Sequence, residues 1–227
     1  MLKTIWRKYA SYGLKTSLTT LRNEFRTFGT HRKGVQRARR YKHATNLSLN
    51  IACGPIVKAG WLNIDICPAA DLRLDLREKL PLPDGCAQMI YCEHFLEHLD
   101  YPEEASRFLG ECKRLLAPGG RLSIVVPDLE YAIHIYTHHH EDFRSWLETE
   151  FHTAWQNFWI PAWCDTAAHV VSYIFHQNSE HKHLYDASTL ERVLTSAGFA
   201  GVRARAFEPG LDSPERERGC VYMDATK

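Results

Sequence analysis

Leu47-Ser48-Leu49-Asn50-Ile51-Ala52-Cys53-Gly54 is a short apolar run that ends in a turn of small residues. Trp61 to Ile66 is a second such run, with an acid, Asp65, at its end. A third is short, around Leu72 to Leu74, and Asp75 follows it directly. Gln88 to Tyr91 is a fourth, ending near Glu93-His94. Runs of this length bounded by turn residues read as buried strands. Between the fourth run and a fifth, Leu122 to Val126, lies an amphipathic helix. Pro102, Glu103 and Glu104 open it, and Ala105, Phe108, Leu109, Cys112, Leu115 and Leu116 form its apolar stripe. Lys113 and Arg114 suit its C-terminal dipole, and Pro118-Gly119-Gly120 is expected to stop it. Strand, helix, strand in this order implies a parallel α/β sheet.

Outward from this block the chain changes character twice. Residues 128–180 are helical in pattern and aromatic, with four of the six tryptophans between 146 and 163. They read as an insertion over the sheet, of which residues 141–180 are expected to cross the carboxyl ends of the strands, with Trp155, Trp159 and Trp163 on one helical side. It is either ordinary core or an acceptor pocket. Beyond it, Ser188 and Glu191 read as a capping box for a helix striped by Leu190, Val193, Leu194 and Ala197. Strands around Val202 to Phe207 and Cys220 to Met223 would close the sheet.

Toward the N-terminus, residues 1–44 form a basic arm ahead of a domain spanning 45–227. The arm holds twelve Lys and Arg against one acid, Glu24, for +11, while the remainder holds 16 basic and 26 acidic residues, for −10. Leu14, Leu18, Leu21, Phe25 and Phe28 share one helical face, which is expected to dock on the domain. Charge would also let the arm touch anionic membrane or nucleic acid. No stretch has the length of an apolar transmembrane helix or a signal-peptide core, so a cytoplasmic location is expected. Seven cysteines without a C-x-x-C pattern fit neither a disulfide framework nor a zinc ribbon.

The ordered set of motifs resembles the class I S-adenosylmethionine (SAM)-dependent methyltransferases, specifically the type 11 branch. The residues that carry the likeness are Leu49 to Gly54, Gly60-Trp61-Leu62-Asn63-Ile64-Asp65, Leu80-Pro81-Leu82-Pro83-Asp84-Gly85 and Phe95-Leu96-Glu97-His98-Leu99. Glu111 to Gly120, Val125 to Glu130 and Leu184-Tyr185-Asp186 extend it. The resemblance implies a Rossmann-like, doubly wound, mostly parallel sheet with SAM at the carboxyl ends of its strands. Asn50, Ala52, Cys53 and Gly54 would face the donor's amino-acid end, and Asp65 with Ile66 its ribose. Asp75 and Leu76 would take its adenine, while Glu93 and His94 would face the transfer centre. The chain departs from the family in two places at the first turn: Ala52 stands for a glycine, and Asn50 for a frequent acid. Only about six residues separate Gly54 from Trp61, whereas a parallel crossover needs roughly a dozen, so the first crossover helix is expected to be reduced to a turn.

The implied activity is methyl transfer to oxygen or nitrogen of a small or glycan-like acceptor, with His94, His98 and Asp128 as candidate bases. A catalytically silent SAM-binding scaffold is the rival reading; a nicotinamide dehydrogenase would need the full G-x-G-x-x-G turn, which is absent. A homodimer through the aromatic face is compatible with the pattern. His94-Phe95-Leu96-Glu97-His98 matches H-x-x-E-H, but at a strand end rather than inside a helix. Although His94, Glu97 and His98 could hold a divalent metal, the plainer reading is that Glu97 and His98 brace the loop, and no metal is expected. His134, His138, His139 and His140, with Glu141 and Asp142, have the spacing of a metal patch but read as a solvated helix end.

Overall fold

The computed structural model describes residues 11–139, 142, 145, 161 and 163–227. Seven strands form one sheet: β1 (Leu47–Ile51), β2 (Leu62–Asp65), β3 (Leu72–Arg73), β4 (Ala87–Glu93), β5 (Leu116–Pro127), β6 (Ala200–Ala204) and β7 (Cys220–Thr226). Their order is β3-β2-β1-β4-β5-β7-β6, with β7 alone antiparallel to both neighbours. This is the Rossmann-like α/β architecture. The strand order reverses between β1 and β4, which pair directly. A crevice outside the carboxyl ends of two such strands is the natural ligand position in an open α/β sheet.

Strands β4, β5 and β7 are buried over most of their length, as expected of a sheet centre covered on both faces, whereas β6 lies exposed at the edge. Leu49, Ile51, Ile64, Ile90, Cys92, Leu122 and Ile124 are fully buried in one core with Phe108 and Leu109. Tyr91, Val125, Leu211 and Tyr222 form a second, smaller cluster. Helix α2 (Glu103–Leu115) buries its whole predicted stripe as far as Leu115. It ends three residues before Pro118, because Leu116 already pairs with Ala87 as the start of β5.

The crossover from β1 to β2 contains no helix. Polar side chains replace it. Asn50 Nδ2 donates to Ile56 O at 3.0 Å and to Asn63 Oδ1 at 2.9 Å. Asn63 Oδ1 also accepts from Lys58 N, and its Nδ2 donates to Lys58 O, Trp61 O and Asp71 Oδ2. Two buried amides thus satisfy the backbone groups that a helix would have paired internally.

Three expectations are corrected. First, the arm forms helix α1 (Tyr12–Ala38), but its apolar stripe does not dock: Leu14, Leu18, Leu21, Phe25 and Phe28 are 43–69 % exposed. Glu24, His31, Gly34, Val35 and Ala38 meet the domain instead. Glu24 pairs with Arg77 at 2.9 Å, His31 Nδ1 accepts from Asp75 N at 3.1 Å, and Ala38 is fully buried. The reason is steric: a Cβ on Gly34 would lie 2.1 Å from Arg73 O, so the helix lies against β3 at the one of its three glycines that faces the sheet. Second, helix α5 (Ala187–Ser196) is capped by Asp186, whose Oδ1 accepts from Thr189 N at 2.6 Å; Ser188 donates to that same carboxylate rather than capping. Third, Asp75, Leu76 and Asp128 stand apart from the crevice, as described below.

In the insertion, α3 (Leu129–His139) and α4 (Ala167–His176) pack together around Ile135, Cys164, Ala167 and Val170. Trp146, Trp155 and Trp159 lie outside the described residues, and Trp163 is exposed beside His169 and Tyr173. His134 and His138 stack at 4.1 Å on the exposed side of α3. Among the described residues no helix is long and apolar enough to cross a membrane.

Candidate active site

A cavity of about 420 Å³ opens at the carboxyl ends of β1, β2 and β4. That falls within the usual range for a small-molecule site. Nine residues singled out from the sequence line it: Asn50, Ala52, Cys53, Gly54, Asp65, Ile66, Glu93, His94 and His98.

The turn after β1 is the narrowest part of its wall. Ala52 has φ 59° and Gly54 φ 52°, so both sit in the left-handed region. Glycine adopts it freely, whereas alanine costs roughly 1–2 kcal/mol there. A Cβ on Gly54 would meet nothing within 4 Å, so the turn leaves an open cradle against bare backbone. Burial and the nearby Asp65 carboxylate push the Cys53 thiol up to about 12, so it remains a neutral thiol. Asp65 is already oriented: its Oδ2 accepts from Gly54 N at 2.9 Å and its Oδ1 from Cys67 N at 2.6 Å. Two amide donors fix the carboxylate while each oxygen keeps a lone pair for a ligand hydroxyl.

The floor is built from β4 and from the loop between β6 and β7. Glu93 accepts from Ser213 Oγ at 2.5 Å and from Ser213 N at 3.3 Å, and Arg216 Nη1 lies 3.4 Å from it. Lys58 reaches across to Leu211 O and stands 4.6 Å from the Tyr91 ring centre. Desolvation lowers its ammonium pKa. The β6–β7 loop is pinned from behind by the buried Arg205–Asp212 pair at 2.6 Å, with Asp212 also accepting from Tyr91 OH. None of Lys58, Ser213 or Arg216 was singled out from the sequence. They belong to segments without hydrophobic period, and only the pairing of the last two strands brings the loop here.

Two imidazoles complete the wall. His94 sits at the end of β4 with φ 53°, an uncommon conformation for a bulky residue. Its Nε2 is 3.1 Å from Cys220 Sγ, and its Nδ1 3.5 Å from Glu97 Oε1. Burial holds His94 well below the usual imidazole pKa and lowers His98 as well, so both are neutral near pH 7. His98 Nδ1 is 3.1 Å from Glu180 O, and Glu180 also lines the cavity. The return of the insertion therefore reaches the site, tied by Lys182 N donating to Glu97 O at 2.8 Å. Glu97 is fully buried, and burial raises its carboxyl to about 8.

Asp75, Leu76 and Asp128 are elsewhere. Asp75 is held by Arg77, whose Nε and Nη2 donate at 3.0 and 2.8 Å, and it borders a separate groove under α1. Leu76 is buried in the main core. Asp128 Oδ1 accepts from Glu130 N at 2.9 Å in the first turn of α3, and Asp128 does not line this cavity.

Residues 43–204 match the family model described as "Methyltransferase domain". No curated protein matches the chain. Among solved structures it is similar to a SAM-dependent methyltransferase from Archaeoglobus fulgidus, at 18% identity and TM-score 0.49, covering 85% of this chain and 92% of that one. A second is a SAM-dependent methyltransferase from Thermotoga maritima, described as a possible histamine N-methyltransferase, at 16% identity and TM-score 0.47, covering 91% and 96%. A third is phosphoethanolamine N-methyltransferase 2 from Haemonchus contortus in complex with SAM, at 11% identity and TM-score 0.43, covering 86% and 52%.

Proposed function

Since the chain belongs to the SAM-dependent methyltransferases, we propose that it methylates an oxygen or nitrogen of a small-molecule or glycan-like acceptor. The observation that carries this reading is the pairing, in one cavity, of an amide-oriented carboxylate, Asp65, with two neutral imidazoles, His94 and His98. When bound, SAM supplies a methyl group already activated on a sulfonium. The residues then have to hold donor and acceptor in line and remove one proton.

Asp65 is assigned to the ribose hydroxyls, and the Ala52–Gly54 turn to close backbone contact with the donor. Glu93, fixed by Ser213 and Arg216, lies deeper and suits the donor's charged end or the acceptor's polar head. His94 and His98 are the candidate proton acceptors. A neutral imidazole accepts a proton from a hydroxyl or ammonium acceptor and is of no use to a reaction that loses none. The polar lining by Lys58, Glu93, His98 and Glu180 favours a hydrophilic acceptor.

Calorimetry with SAM and with its demethylated product, followed by a screen of hydroxyl and amine acceptors, tests the reading. Asp65→Ala is expected to weaken SAM binding by about 1.5–3 kcal/mol, roughly 10- to 150-fold, the loss typical of charge-assisted hydrogen bonds. Unchanged affinity would remove the ribose assignment. Because the pKa values of His94 and His98 are lowered, turnover should hold level down to pH 6.5 and fall only below it. SAM binding without turnover on any acceptor would favour a scaffold.

A further inference from the structure

We propose that Glu97, His98 and His181 bind one divalent transition-metal ion at the rim of the donor cavity. Among the described residues they are the one group whose ligand atoms all lie within 4.8 Å of one another. The three come from the short loop after β4 and from the return of the insertion, so the site forms only where the two segments are tied together.

The chemistry of the group argues for a cation. His98 Nδ1 faces Glu180 O at 3.1 Å, and His181 Nδ1 faces Ile174 O at 2.5 Å. A carbonyl oxygen only accepts, so both Nδ1 atoms carry the hydrogen, and each Nε2 is left as a bare lone pair. Both Nε2 atoms stand 4.0 Å from Glu97 Oε1. Glu97 is fully buried, and neither of its oxygens has a hydrogen-bond partner. Three acceptor atoms therefore converge with no donor among them, and for the buried Glu97 and His181 that is costly unless a positive charge joins them. A proton on Glu97 would leave both Nε2 atoms without a donor, since 4.0 Å is too long for a hydrogen bond to either; the nearer imidazole nitrogen, His94 Nδ1 at 3.5 Å, lies outside the group. A metal ion would. Bonds of about 2.0–2.2 Å place ligand atoms roughly 3–3.5 Å apart, a short side-chain movement from the observed spacing.

The outer contacts have the form that metal-binding histidines need. Each imidazole donates its other N–H to a backbone carbonyl, which fixes both tautomer and ring direction. Two imidazoles and one carboxylate leave coordination positions open, and suit zinc or a neighbouring first-row ion rather than magnesium or calcium. His98 also lines the cavity, so an acceptor hydroxyl at the rim could reach the ion and become more acidic there. That consequence rests on the methyl-transfer reading, whereas the binding does not. A cation on His98 Nε2 would take this ring out of proton transfer and leave His94 as the base.

The test uses the full chain, stripped with a chelator and dialysed, then titrated calorimetrically with Zn²⁺ and, separately, with Mg²⁺. One Zn²⁺ per chain is expected, with Mg²⁺ at least 100-fold weaker, and Co²⁺ should give the visible absorption of a nitrogen- and oxygen-bound site. Glu97→Gln and His181→Ala should each weaken Zn²⁺ binding at least tenfold. SAM affinity measured on the same samples shows that each variant is folded. Absence of stoichiometric Zn²⁺ binding, or equal binding by wild type and both folded variants, would overturn the site. A chain that binds Zn²⁺ but not SAM would overturn the donor assignment and leave the metal site standing.

Discussion

Helices α1 and α2 look alike as sequence and behave oppositely in the fold. Each carries an apolar stripe at helical spacing. α2 buries Ala105, Phe108, Leu109, Cys112 and Leu115 under the sheet. α1 leaves Leu14, Leu18, Leu21, Phe25 and Phe28 in the open and meets β3 through Gly34 and Ala38, about a third of a turn away. Periodicity states which side of a helix would gain from burial. It does not state whether a partner surface is within reach. α2 has one, because a crossover helix between β4 and β5 must return over the sheet. α1 precedes the first strand and is bound by no crossover, so its contact is chosen by fit: a glycine against a carbonyl, an ion pair and a histidine.

The sharpest way to expose that difference is Phe108→Ala, expected to cost about 3–5 kcal/mol in denaturant unfolding, the usual loss for a buried aromatic. A cost below 1 kcal/mol would mean that the α2 stripe is not the core it looks like. Gly34→Val should come next, at about 1–3 kcal/mol of overpacking, because any Cβ there collides with Arg73 O. Deleting residues 1–40 should then lower the melting temperature by several degrees, since the burial of Ala38 is lost and that of Val35 with it. Deleting only residues 1–30 should leave it within a degree or two, as it removes the exposed stripe and one half-exposed ion pair. An equal drop for both deletions would show that the stripe carries stability after all. The smallest effect is expected for Leu18→Ser with Phe25→Ser, within about 0.5 kcal/mol, as for surface changes in general.

The same contrast explains what could be read from the sequence. The α/β class, the short first crossover and the position of Asp65 were legible because each is local: an apolar run, its end and the residue that stops it. Asp65 reaches Gly54 N because β1 and β2 are adjacent and the loop between them is short. Asp75 also stands at a strand end, yet Arg77, two residues on, turns its carboxylate toward α1. No pattern of apolar residues reports such a capture. Ser213 on Glu93, and His181 beside Glu97, were illegible for another reason. These contacts join residues far apart in the chain, and their segments carry no period. Only a buried acid without a visible local partner, such as Glu93 or Glu97, could have hinted that distant groups come to meet it.

The place of β7 in the sheet sets a timetable for the newborn chain. Among the described residues β6 pairs only with β7, and β7 is inserted between β5 and β6 after the other six strands of the sheet have been made. Strands β1 to β5 can associate as they leave the ribosome, since domains fold from the N-terminal side during synthesis. β6 must wait with both edges unpaired. So must the loop that brings Ser213 and Arg216 to Glu93, because its buried anchor, Arg205, takes hold on Ser123 of β5 and Asp224 of β7. Until residue 224 has emerged, Glu93 faces its cavity without these partners. The cavity is therefore completed late, and a ribosome stalled before β7 would hold an incomplete sheet with the cavity still open.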